Sequence, residues 1–361
     1  MWYHTTAAKI LGIQYPILQG PFGGKLSSVE LVATVSNAGG LGGYGAYTLS
    51  PDEIVQLDKQ IKAATNKPYN INLWVTDSDA PTGGIEDTSY EAAKQLFRPY
   101  FDELGIPFPD KPAPFKPGFE NQVEALLHLR PPVFSFVFGI PAADILEQCR
   151  KLGIVTIGAA TTLDEGIALE AAGVDLIVAS GFEAGGHRPS FLAASETSLT
   201  GTFVLVQQLR EKIKTPIIAA GGIANGKGVA AAMALGASAA QIGTAFLACD
   251  ESNAPAIHRG FLFSDGAKHT ALTRAFTGRL GRGITNRILE DLQGKEKQFL
   301  PFPLQTQFMS SLRKAALDQQ QWDMVFFWGG QIAPLLKHTK AKELMQAVVE
   351  ETTDYFNDLK A

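Results

Sequence analysis

The chain lacks the marks of several common protein classes. Only two cysteines occur in 361 residues, Cys149 and Cys249. They form no metal-ligand or redox spacing, and no metal site is expected. Their scarcity fits a reducing compartment, so the cytoplasm is the expected location. No basic block stands out: 31 Lys and Arg face 36 Asp and Glu, a net charge of -5. That balance leaves no electrostatic footprint for nucleic acid. No apolar run reaches membrane-spanning length, and Met1 to Ile10 lacks the apolar stretch of a secretory signal. Histidine is also scarce, with six in the chain, so the setting of each one carries information.

What is present is a globular composition, 45% hydrophobic and 19% charged. The length allows two domains or one α/β barrel with additions. Up to about residue 247, short apolar runs alternate with helical patterns. Strands are predicted over 13–19, 41–46, 69–75, 132–138, 154–158, 175–179, 216–220 and 239–246. Helices are predicted over 28–37, from Pro51 onward, and over 142–151, 163–172, 202–213 and 226–235. Gly153, Gly173 and Gly236 follow three of the later helices, as C-caps do. Eight βα units predict a TIM (β/α)8 barrel, with a doubly wound open sheet as the main competitor.

Two parts exceed a minimal barrel. Residues 76–118 separate the third strand from its helix and are rich in proline and acidic residues. Such an insertion is a lid, an embellishment or a mobile segment. Residues 251–361 read as a mainly helical C-terminal extension packed on a barrel of residues 1–250. The extension carries the basic stretch 274–282, whose glycine and aromatic neighbours favour packing on the barrel over nucleic-acid contact.

In such a barrel the active site lies at the C-terminal ends of the strands. Glycine-rich strand ends occur at Gln19-Gly20-Pro21-Phe22-Gly23-Gly24, at Ala219-Ala-Gly221-Gly222-Ile223 and at Gln241-Ile242-Gly243-Thr244. Asn72 lies within the third strand. Loops after strands seven and eight commonly bind phosphate, since backbone N–H groups converge on an anion there. Gly221, Gly222, Gly243 and Thr244 fit that use, and Thr244 adds a hydroxyl. The most informative segment runs from Ala179 and Ser180 through Gly185-Gly186 to His187 and Arg188. It leaves a strongly apolar strand and sets a titratable ring on the catalytic face. A neutral imidazole there can abstract a proton from an acidic C–H. Arg188 reads two ways, as a holder of an anionic substrate or as a structural group. Glu183 is expected to orient its loop by accepting backbone N–H bonds. His4, His128, His258, His269 and His338 have no motif context and are assigned no chemistry.

These residues resemble the nitronate monooxygenase family, FMN-dependent TIM-barrel enzymes. The likeness rests on Glu183-Ala-Gly-Gly-His187-Arg188 with the two glycine loops above, and it runs in order along the chain. It includes Val35-Ser-Asn-Ala-Gly-Gly-Leu-Gly42, Asn70-Ile-Asn-Leu73, Arg274-Ala-Phe-Thr-Gly-Arg279, Pro303-Leu-Gln305 and Trp328-Gly-Gly-Gln331. The tail resembles class I members in particular. The resemblance implies that Asn72, Ser180, Gly185, Gly186, Gly221, Gly222, Gln241, Ile242, Gly243 and Thr244 bind FMN. It sets Pro21, Phe22 and Gly23 against the flavin and makes His187 the catalytic base. The implied reaction is one-electron oxidation of alkyl nitronates, propionate 3-nitronate among them, and of nitroalkanes. Oxygen then yields a carbonyl compound and nitrite or related nitrogen oxides. The implied partners are these small molecules and O2; the exposed faces of the tail leave a homo-oligomer open. Two departures stand out: Ser180 occupies a position where some members carry Gln, and Phe302 one where some carry Tyr. An FMN-dependent enoyl-acyl carrier protein reductase and an NAD(P)H:quinone reductase are the rival readings. No strand–GxGxxG–helix fingerprint is apparent.

Overall fold

A computed structural model describes residues 1–76, 78–81, 83–115 and 118–359. Positions 77, 82, 116 and 117 of the proline-rich insertion, and the last two residues, lie outside it. Eleven strands form among the described residues. They are β1 (Ile17–Gln19), β2 (Gly42–Gly45), β3 (Tyr69–Trp74), β4 (Val133–Val137), β5 (Val155–Ala160) and β6 (Leu176–Ser180), followed by β7 (Gly186–His187), β8 (Ile217–Ala220), β9 (Ala239–Ile242), β10 (Thr270–Thr273) and β11 (Gly281–Ile284). Eight of them pair in parallel in the order β1-β9-β8-β6-β5-β4-β3-β2. Leu41 closes the ring: Gln19 N donates to Leu41 O at 2.9 Å and Leu41 N to Ile17 O at 3.0 Å. The architecture is the predicted TIM barrel, and the open doubly wound sheet is ruled out.

Burial of both strand faces explains why most barrel residues are apolar. Leu18, Ile157, Leu176, Val178 and Ile218 pack together inside the barrel. Their neighbours Ile17, Ile177, Ile217 and Ile242 turn outward into the layer shared with the helices. The first strand begins later than predicted, because the N–H groups of Gln14 and Tyr15 both donate to Gly39 O instead of joining the sheet. The eighth ends at Ile242 rather than at residue 246. Gly243, at φ -101° and ψ -83°, breaks the extended backbone, and a short helix follows at Thr244–Leu247.

A second core lies over the C-terminal ends of the strands and is rich in phenylalanine. The 76–118 insertion contributes a helix, Asp87–Leu104. Sequence patterning did not disclose it, since Pro99 stands in its interior, where proline normally ends a helix. Its Phe97 and Phe101 rings meet Phe308 of helix Leu304–Asp318 at 5.6 and 5.5 Å. The described part of the insertion is thus an embellishment fixed to the C-terminal region. The last helix, Ala341–Asp358, returns to the barrel, where Met345 and Val348 join its outer core. Between barrel and roof runs a small antiparallel sheet, β10-β11-β7, in which Gly281 pairs with His187 and Arg282 with Gly186. Among the described residues no helix is long and apolar enough to cross a membrane.

Candidate active site

A cavity of about 510 Å³ opens where the strand ends meet the roof, within the size range of small-molecule and cofactor sites. The predicted residues converge on it from separate elements. Pro21, Phe22 and Gly23 line it after β1, and Asn72 from β3. Ser180, Gly185, Gly186 and His187 line it after β6; Gly221 and Gly222 do so after β8. Gln241, Gly243 and Thr244 complete the wall at β9. Ile242 does not reach the cavity. It points into the outer core with no exposed surface, as alternation beside the inward Gln241 requires.

Several of these positions hold one another in place. Gly23 packs so closely on Tyr47 that a Cβ would lie 2.5 Å from its ring. Asn72 donates through Nδ2 to Ser135 Oγ at 2.9 Å. Gly330 N donates to Thr244 Oγ1 at 2.9 Å. A Cβ on Gly185 would fall 2.6 Å from Gly330 N. Glu183 carries out the predicted orienting task, accepting from Thr202 N at 3.0 Å and from Thr202 Oγ1 at 3.0 Å. Arg188 resolves as structural. It is buried, and it donates to Ser198 O at 2.9 and 2.7 Å and to the carbonyl of Ser180.

The glycine rim leaves backbone N–H groups unpaired among the described residues, beside open space. The N–H groups of Gly222, Gly243 and Thr244 have no acceptor among the described residues. A Cβ built on Gly243 would meet nothing within 4 Å, and Gly222 takes φ +71°, a left-handed conformation that favours glycine. Free N–H groups and open space at the ends of β8 and β9 are the properties a phosphate cradle needs.

His187 sits in an aromatic cage. Its ring lies 4.8 Å from Trp328, 5.3 Å from Trp74 and 6.0 Å from Phe302. Nε2 shares a hydrogen bond with Thr277 Oγ1 at 2.9 Å. Burial pushes its pKa down to about 3, with the charges of Arg279 and Arg274 adding to the effect. The ring is therefore neutral throughout the physiological range. Arg279 is itself clamped. It lies 4.1 Å over the Phe138 ring and 4.5 Å over Phe302, and it pairs with Asp79 of the insertion at 2.8 and 2.6 Å. The basic stretch 274–282 thus packs on the barrel, as expected from its neighbours.

Trp74, Thr277, Phe302, Trp328, His258 and Arg313 also line the cavity, and sequence reasoning gave none of them a role there. Phe302 stands out only as a departure from the family pattern, and Thr277 and Trp328 only as members of motifs. His258 joins Trp328 O through Nε2 at 2.8 Å. Arg313 has neither an ion pair nor a hydrogen bond among the described residues. It is solvent-accessible, yet the surrounding protein still lowers its pKa. Thr277 and Trp328 lie within quoted motifs, but Trp74, His258 and Arg313 lie in none, and folding alone brings the six together.

Residues 4–351 match the sequence profile of the nitronate monooxygenase family. A "Probable nitronate monooxygenase" of Staphylococcus haemolyticus is 36% identical over 97% of this chain and 98% of its own. One from Staphylococcus aureus is 34% identical over 97% and 98%. The crystal structure of a nitroalkane oxidase from Streptomyces ansochromogenes superposes with a TM-score of 0.88 at 33% identity, covering 98% of this chain and 99% of that one. FabK from Thermotoga maritima follows at 0.77 and 26%, covering 99% and 98%. A whole-chain profile match and full-length relatives above 30% identity agree with the site geometry: the chain belongs to the nitronate monooxygenase family of oxidoreductases.

Proposed function

We propose that this enzyme uses FMN to oxidise alkyl nitronates with O2, giving a carbonyl compound and nitrite or related nitrogen oxides. The observation that carries the reading is a neutral His187 lining the same cavity as a glycine cradle whose N–H groups have no acceptor among the described residues. The donor set fits FMN. Gly222, Gly243 and Thr244 would hold the phosphate. Asn72, Ser180, Gln241 and the Pro21-Phe22-Gly23 turn would bound the ring system, with Gly185 and Gly186 giving close approach. When bound, FMN supplies the electron acceptor and the oxygen chemistry.

The protein's own contribution is electrostatic and positional. Burial is the main cause that keeps a proton off His187; the guanidinium charges of Arg279 and Arg274 add to it, and they also favour an anion beside the ring. A nitronate is such an anion. With a neutral nitroalkane, His187 takes the α-proton, and the field that disfavours imidazolium favours the nitronate that forms. With a preformed nitronate that step is unnecessary, and the ring helps to position the substrate. Trp74, Phe302 and Trp328 keep water from the reacting carbon. Phe302 does so without a phenolic hydroxyl, so it offers packing and no hydrogen bond. Arg313, a cation without a partner among the described residues, suits a nitronate with a second negative group, and propionate 3-nitronate is one. Residues 1–250 supply the cofactor cradle and residues 251–361 the cover. Two unpaired, buried cysteines support a cytoplasmic setting.

The test is anaerobic stopped-flow spectroscopy of the FMN-loaded protein, mixed separately with propionate 3-nitronate, ethyl nitronate and NADPH. Loss of oxidised flavin absorbance with the nitronates, and no response to NADPH, is the expected result. Fast bleaching by NADPH alone would replace the proposal with an enoyl or quinone reductase. A lower KM for the carboxylated nitronate than for the uncharged one is expected from Arg313.

A further inference from the structure

Thr277 lies within the Arg274–Arg279 motif but was given no role there, yet its hydroxyl has three partners. It donates to Arg279 O at 3.1 Å, accepts from Arg279 N at 3.3 Å and meets His187 Nε2 at 2.9 Å. A hydroxyl has one proton and two lone pairs. The turn at Arg279 uses the proton and one lone pair. Were the proton turned toward the imidazole, the Arg279 carbonyl would lose its only donor among the described residues, at the cost of an unsatisfied polar group. The remaining lone pair can only accept. The imidazole nitrogen facing it must then carry the hydrogen.

We propose that Thr277 is a positioning residue that fixes neutral His187 as the Nε2–H tautomer, leaving the Nδ1 lone pair as the nitrogen that meets substrate. This rests on the reading of His187 given above. Nδ1 has no partner among the described residues, and the ring lines the cavity. The proton transfer balances directly. The α-carbon C–H bond of a neutral nitroalkane breaks, its electron pair stays on the substrate as the nitronate, and the proton joins Nδ1. The resulting imidazolium still donates from Nε2 to Thr277. The opposite tautomer would put a hydrogen on Nδ1 and leave no lone pair toward the α-carbon. Thr277 therefore matters for neutral nitroalkanes far more than for preformed nitronates, a split that a purely structural residue would not give.

The experiment is a long-range ¹⁵N–¹H correlation spectrum of histidine in the FMN-loaded full chain near neutral pH, with His187 assigned by loss of its signal in His187→Asn. The expected spectrum has a protonated Nε2 and an unprotonated Nδ1. In Thr277→Val that pattern is expected to mix or invert. Its kcat on nitroethane should fall about 10²-fold, the low end of a positioned general base, while ethyl nitronate oxidation stays within about threefold. Thr277→Ser, which restores the hydroxyl, should recover both and guards against simple misfolding of the valine variant. An Nδ1–H wild-type spectrum, an unchanged spectrum in Thr277→Val, or equal losses on both substrates would each overturn the proposal. A protein with the Nε2–H pattern that oxidises no nitronate would instead remove the proposed function and leave the tautomer standing.

Discussion

The barrel and its roof are made of different side chains, and the difference explains what each contributes to the site. Ile17, Ile71, Ile177 and Ile217 and their aliphatic neighbours fill the layer between the barrel strands and their helices. Phe97, Phe101, Phe276, Phe308 and Phe326 dominate the roof. β-Branched residues suit a pleated surface buried on both sides. The barrel is thus a regular scaffold whose strand ends can be glycine without losing the fold. The roof is held by contacts between distant segments, such as Phe97 with Phe308 and Arg279 with Asp79. The glycines of the proposed anion cradle come from the barrel; of the rings around His187, Trp74 comes from barrel strand β3 and Phe302 and Trp328 from the roof. His187 belongs to both, leaving the barrel after β6 and pairing with roof strand β11.

The sharpest way to break that division is to change His187 itself. His187→Asn should lower turnover of neutral nitroethane by about 10²–10⁴-fold, the range for loss of a general base, while nitronate oxidation persists. Oxygen uptake with each substrate measures this. An equal loss on both would take proton abstraction away from His187 and leave it a binding residue.

The next largest effect belongs to the roof. Phe308 has no exposed surface and touches the rings of Tyr90, Phe97, Phe101 and Phe108. Phe308→Ala should cost about 3–5 kcal/mol of roof stability. Flavin release on heating should then precede the loss of far-ultraviolet ellipticity. Coincident transitions would show that barrel and roof unfold as one unit.

A smaller change sharpens the barrel's side of the comparison. Gly243→Ala adds a methyl group where no protein atom lies within 4 Å, so stability should stay within about 0.5 kcal/mol. The methyl would occupy the proposed phosphate space, and FMN affinity should fall at least tenfold, about 1.4 kcal/mol. Fluorescence titration of the apoprotein reads this directly. Unchanged affinity would move the phosphate off this loop.

The same contrast governs what the sequence disclosed. The eight barrel strands, the paired glycine loops and His187 were legible because each is a local pattern: an apolar run, a strand end, small residues beside a titratable ring. Ile242 was included with its neighbours, and only the two-residue alternation of β9 removes it from the cavity. Pro99 hid the insertion helix. Trp74, Thr277, Trp328, His258 and Arg313 lie as far apart as residues 74 and 328 and share no spacing, so nothing short of the folded roof unites them. Arg188 showed the reverse: beside His187 in sequence, it turns away to bind backbone carbonyls.

The smallest expected effect separates the two histidines of the cavity from the solvent-exposed ones. Burial holds His258 down to about 4, with Arg313 and Arg259 adding to the depression and its bond to Trp328 O opposing it. The unfolded chain, with an ordinary value near 6.5, therefore binds a proton before the folded one as pH falls. Stability from the neutral ring is complete above pH 6.5 and is lost as pH drops toward 4, by about 1 kcal/mol across the first unit below 6.5. His187 has the same sign over a longer window, down to about 3. Thermal midpoints of the wild type should thus fall more steeply between pH 7 and 5 than those of His258→Asn, and a His187→Asn, His258→Asn double variant should be flatter still. Parallel slopes in all three would mean that these rings titrate in the folded protein as they do in water, and that the roof does not seal the cavity as its aromatic packing implies.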